Sequence, residues 1–130
     1  MLKTECATLS KISSFIYSIS HEDGKRIEIS DAKEINNAFD KIVTEDYFYT
    51  IIDARNQFNS FSKPAFRYLA NDIPVVKENK LRGVALIIEC LPNRLLANFF
   101  KNFYKPSYPF KVFKSQKEAI NWLYKLNSTT

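Results

Sequence analysis

The sequence predicts a single α/β domain: a mixed sheet of about five strands, parallel in its centre, with about four flanking helices. Three observations carry this expectation. Two continuous apolar runs, Phe48–Ile52 and Val84–Ile88, do not alternate with polar residues, the pattern of strands covered on both faces. Segments with helical apolar spacing alternate with strand-like segments beyond residue 30, the order of a parallel sheet, while two strand-like runs come first and give an antiparallel edge. The chain has 130 residues, 45% of them hydrophobic and 25% charged, enough for one well-covered core.

Taken in order, residues 4–20 hold two strand-like runs with a turn at Ser13-Ser14. In the second run Phe15, Tyr17 and Ile19 share one phase of a two-residue alternation. His21 to Gly24 reads as a polar turn, with His21 in water, and Arg26 to Ile29 as a brief extended piece. Asp31 opens a helix with Glu34 three residues on. Ile35, Ala38, Phe39, Ile42 and Val43 supply its apolar stripe. Phe48–Ile52 is a buried strand ending at Asp53, and a polar loop leads to Phe61. Ser62 reads as an N-cap, followed by a helix with Phe66, Leu69, Ala70 and Ile73 inward; Pro74 ends it. Residues 75–82 form a charged connector without a legible structure. The strand Gly83–Glu89 follows, then a helix from Pro92 to Tyr104 whose wide apolar face holds Leu95, Leu96, Phe99, Phe100 and Phe103. Lys105 to Pro109 stops that helix, since two prolines and their predecessors disfavour α geometry. Phe110–Phe113 is a short strand. Ser115 with Glu118 forms a capping box for a last helix to Leu126.

Composition excludes several classes. With 2 glycines the chain has no glycine-rich phosphate loop or dinucleotide fingerprint. One histidine and two distant cysteines, Cys6 and Cys90, lack metal-ligand spacing and form no disulfide framework. No nucleophile and base occur in a recognised pattern, so no catalytic residue and no cofactor are nominated. The longest apolar run falls short of a membrane span, and the first residues lack a signal-peptide core. These features predict a non-enzymatic cytoplasmic protein, with an enzyme of unrecognised type, for which no residue set stands out, as a further alternative.

Asn98-Phe99-Phe100, Lys105-Pro106, Pro109, Lys111-Val112-Phe113 and Ala119 to Leu123 resemble the C-terminal half of small bacterial STAS-like domains, which are related to anti-sigma-factor antagonists and grouped with lipid-carrier-like folds. The resemblance implies a regulatory or binding module that acts on a protein partner or a second copy of itself. It also implies, as an alternative, a carrier or peripheral binder of an apolar anionic ligand such as a lipid. In STAS regulators an aspartate at a strand end precedes a phosphorylatable serine at the next helix start. Asp53, Ser62 and Lys63 stand in roughly those places, and a phosphate on Ser62 would gain from the helix N-terminus and from Lys63. The motif departs from the family in that Phe61 replaces an acid and Lys63-Pro64 replaces a small pair. The plainer readings are that Ser62 caps its helix and that Asp53 binds local backbone amides.

The charge pattern singles out the last third. Between Glu89 and Glu118 there is no acid, while Arg94, Lys101, Lys105, Lys111, Lys114 and Lys117 fall within the span. These six exceed the net charge of +5 of the whole chain. The candidate surface for an anionic partner comprises Arg94, Asn98, Lys101, Tyr104, Lys105, Tyr108 and Lys111, with Tyr104 and Tyr108 the exposed aromatics. The alternative is a solvated face over an ordinary aromatic core. Nucleic acid is disfavoured, since no glycine-rich or aromatic-platform signature accompanies the charge.

Overall fold

The computed structural model describes residues 1–55, 60–88, 95 and 97–128. Six strands form one sheet: β1 (Leu2–Lys3), β2 (Ala7–Ser13), β3 (Ile16–His21), β5 (Phe48–Asp53), β7 (Leu81–Ile87) and β8 (Phe110–Phe113), in the order β1-β2-β3-β5-β7-β8. The first two pairings are antiparallel, and β3-β5, β5-β7 and β7-β8 are parallel. The two apolar runs therefore lie side by side in the middle, as their lack of alternation predicts. Two short strands, β4 (Arg26–Ile27) and β6 (Ser60–Phe61), pair in parallel apart from it. The extra strand beyond the expected five is β1, too short to leave a periodic signal.

Each parallel step crosses over through helix. One face of the sheet carries α1 (Ile29–Ile42), α2 (Lys63–Arg67), the π-helical turns π1 (Tyr68–Asp72) and π2 (Phe100–Tyr104), and α3 (Pro74–Lys77); the other carries α4 (Gln116–Ser128). The pleat sorts the residues. Tyr17, Ile19, Thr50, Ile52, Val84 and Leu86 face the first layer, and Ile16, Tyr49, Ile51, Ala85 and Ile87 meet Ala119 and Leu123 of α4 on the second. Gly83 lies where α4 ends: a Cβ there would stand 3.0 Å from both Leu126 and Tyr49.

Several local expectations need correction. The first hairpin turns at Ser14-Phe15 rather than Ser13-Ser14, with Phe15 in the left-handed region at φ 67°. Phe15 is held there because its ring stacks on Tyr47 at 4.9 Å and its N–H donates to Glu45 Oε2 at 3.0 Å. The cap of α1 is Glu28, with Asp31 as its reciprocal partner three residues in; Glu28 N–H donates to Asp31 Oδ2 at 2.8 Å. Asp31 is thus the third residue of a helix and not its opening. Pro74 ends the helix before it, as expected, and also begins α3 inside the connector, because a proline fits the first helical position. The free N–H of Val75 donates to Oδ1 of Asn36, a buried side chain of α1, at 3.1 Å. His21 is not a solvated turn residue: it is the last residue of β3 and 6% exposed.

Candidate functional site

A cavity of about 140 Å³ lies between the first face of the sheet and its helices. Strand register builds its floor in layers. Thr50 lies beside Val84 and Phe110, Ile19 beside Ile52 and Leu86, and one step further along, at the carboxyl ends of the parallel strands, stand His21, Ala54 and Ile88. Ile35 and Phe39 of α1, Phe66 of α2, Leu69 of π1, Ala97 and Phe100 supply the roof. The roof is aromatic and continuous: Phe61 stacks on Phe66 at 4.9 Å, Phe66 meets Phe100 at 5.2 Å, and Phe100 meets Phe110 at 5.4 Å. Two of the three helical segments above the cavity, α2 and the one holding Ala97 and Phe100, run on into a π turn, a wider coil than the α-helix.

Few polar groups reach this lining. Burial lowers the His21 imidazole to about 4, against a weaker pull from Asp31, so the ring is neutral at neutral pH. Its Nδ1 and the Thr50 hydroxyl are buried and have no hydrogen-bond partner among the described residues. The Tyr108 hydroxyl donates to the Leu69 carbonyl at 3.1 Å, and burial raises that phenol well above its ordinary value. Among the described residues the lining is therefore apolar, without a charged side chain, and its polar groups offer hydrogen bonds alone.

The basic span divides differently from expectation. Lys101, Lys105 and Lys111 line one open groove together with Tyr108 and Trp122. Asn98 is exposed nearby, and Arg94 lies outside the described residues. Tyr104 and Tyr108 are not the exposed aromatics. Tyr104 is half-buried against Phe66 and Phe100, and Tyr108 turns its hydroxyl inward. The exposed rings are Phe99 and Phe103, 49% and 66% accessible, with Leu95 at 61%. The physical reason lies in Ala97: this small residue and Phe100 turn toward the sheet, which carries Phe99 and Phe103 outward. Left-handed Lys105, at φ 48°, ends the segment. Asn71 of π1 secures the turn, donating to the Tyr104 carbonyl at 3.3 Å and bonding Ser107.

Asp53, Ser62 and Lys63 do not form one constellation. Asp53 accepts from the Arg55 backbone N–H at 3.2 Å and from its guanidinium at 3.0 and 2.7 Å, and this pairing holds the carboxyl below the usual range. Ser62 is 5% exposed and caps α2, its Oγ accepting the Ala65 N–H at 3.1 Å. Lys63 is exposed. Cys6 is a buried free thiol raised by its burial, and Cys90 lies outside the described residues. Among the described residues no three His, Cys, Asp or Glu side chains gather as metal ligands, and no helix is long and apolar enough to cross a membrane.

Two centres, at His21 and Glu45, lie outside the site residues expected from the sequence. His21 shares the phase of Tyr17 and Ile19, so extending that alternation by two residues would have placed it on the buried face. Glu45 collects the Tyr17 hydroxyl at 2.6 Å, the Phe15 N–H and the Lys11 ammonium at 3.0 Å. Its partners lie about 30 residues upstream, and no local spacing betrays them.

Strand order, parallel centre and helix placement define an α/β domain with a STAS-like fold. A crystal structure of an uncharacterized protein of the DUF3478 family from Shewanella loihica PV-4, with a SpoIIAA-like fold, matches 95% of this chain and 98% of its own at a TM-score of 0.60 and 15% identity. At that identity the likeness concerns the fold. The chain belongs to the family described as domain of unknown function DUF7793, whose model matches residues 11–127. No curated protein matches the sequence.

Proposed function

We propose that this protein is a non-enzymatic STAS-like binding module that holds a small, uncharged apolar molecule between its sheet and the helices of its first face. The cavity carries this reading. An apolar cavity of about 150 Å³ admits a benzene ring, so a volume of about 140 Å³ suits one ring or a short chain. A full acyl chain would require the roof to open. The lining matches an apolar guest, and the neutral His21 sets no charge against it. The anionic part of any larger amphiphile would have to stay outside, within reach of Lys101, Lys105 and Lys111. Ser62 serves as a cap in this reading, since its modification would require the start of α2 to open.

Native mass spectrometry of the purified protein, followed by thermal shifts with indole, phenol and short alcohols, tests the proposal. A ligand that binds the folded state alone raises Tm, and the rise grows with the logarithm of its concentration above Kd. Ala97→Leu fills the cavity from its roof: the variant should stay folded and lose the ligand-dependent shift. If no such compound moves Tm and only the unliganded mass is seen, the reading fails.

A further inference from the structure

We propose that the face carrying Leu95, Phe99 and Phe103 docks on an anionic lipid bilayer, its apolar side chains entering the interface while Lys101, Lys105 and Lys111 meet the headgroups. The inference does not depend on what fills the cavity.

These three apolar residues recur every four positions, an interval that aligns side chains along one helical side. Each is about half exposed or more, and the Phe99 and Phe103 rings stack at 5.1 Å. Single exposed apolar residues are ordinary, but a contiguous set marks an interaction surface. The segment already has its core-facing side: Ala97 and Phe100 are 5% and 7% exposed against the sheet. It is therefore apolar on two sides, and among the described residues only one of them packs against the domain.

The residues around the stripe select the partner. Asn98, Lys101, Asn102 and Lys105 are exposed between and beyond the rings, and none is acidic. Lys101, Lys105 and Lys111 share one groove, and among the described residues none of them has an ion-pair partner. A second copy using the same face would bring lysines against lysines around a two-fold axis. Nucleic acid would satisfy the lysines and leave Leu95 and Phe103 in water. A bilayer offers both chemistries at the right depth: phosphates in the headgroup layer, hydrocarbon just beneath.

The test is sedimentation of the full chain with phosphatidylcholine vesicles, with and without phosphatidylglycerol. The protein should pellet with the anionic vesicles and remain in the supernatant with the neutral ones, and added salt should release it. Lys101→Glu with Lys105→Glu should weaken vesicle binding by at least about tenfold. Phe99→Ser with Phe103→Ser should do the same, although its lysines are intact. Both variants change exposed side chains, and unaltered circular dichroism and Tm will verify that they fold. Equal pelleting with neutral vesicles, or anionic binding that survives either pair, overturns the proposal. So does retention on heparin or RNA without vesicle binding, or a solution dimer that Phe99→Ser with Phe103→Ser disrupts.

Discussion

His21 and Glu45 respond to acid in separate windows. Burial depresses His21 to about 4, so the unfolded chain takes up a proton near the ordinary value of 6.5 that the folded chain refuses. Stability is therefore lost as pH falls from about 6.5 toward 4. His21→Phe removes that proton uptake, so the variant's urea midpoint relative to the wild type should be higher at pH 5 than at pH 8. Glu45 behaves as a depressed carboxylate. Burial pushes it up, but hydrogen bonds from Tyr17, Phe15 and Lys11 outweigh this and hold it at about 2. Its contribution is complete above the ordinary value of 4.5 and disappears as pH falls through about 2. Glu45→Gln should cost on the order of 2–3 kcal/mol in urea unfolding at pH 7, and the difference should shrink below pH 3. Neither residue shows this behaviour in the sequence. A buried histidine and a solvated one are the same letter, and what separates them is the layer of α1 and Phe61 that folding brings over β3.

At the scale of elements, local rules work where the chemistry is local. The Ser62 cap, the cap in which Ser115 Oγ accepts the Glu118 N–H and the role of Pro74 as a boundary follow from side chains acting within three or four residues. Ser62→Ala should lower stability by about 1 kcal/mol through the lost bond to Ala65, measured by chemical denaturation. The rules weaken where one face is over-supplied with apolar residues. Between 95 and 104 the sequence offers more large apolar side chains than one helix side can bury. The period alone predicts a wide stripe, but the space over the sheet admits Ala97 and Phe100 and leaves Phe99 and Phe103 outside. For the same reason the basic span was readable as a charge run, whereas the rings that accompany it were not.

For the whole molecule, two runs of unbroken apolar residues were enough to set the parallel centre, and two leading strands its antiparallel edge. The cavity had no comparable signature. It is the space left among β3, β5, β7, α1, α2 and π2, and each element taken alone reads as an ordinary amphipathic piece. A void is a property of the sum, set by the two π turns and by small residues such as Ala54 and Ala97 that decline to fill it. The Ala97→Leu experiment therefore probes the assembly as a whole, since it adds volume where the helices of the first face meet the sheet.

The position of Val84–Ile88 has one more consequence. A stretch with this composition, uncharged and free of proline, is the type of segment that stacks into amyloid when it is bare. Here it has β5 on one flank and β8 on the other, so its amides are occupied. The margins offer a poor template: β1 is two residues long, and β8 is four, preceded by Pro109 and carrying Lys111. Proline and lysine at an edge oppose the addition of another chain. Fibril growth in this protein must therefore wait for the sheet to open, and anything that steadies the native sheet also delays deposition.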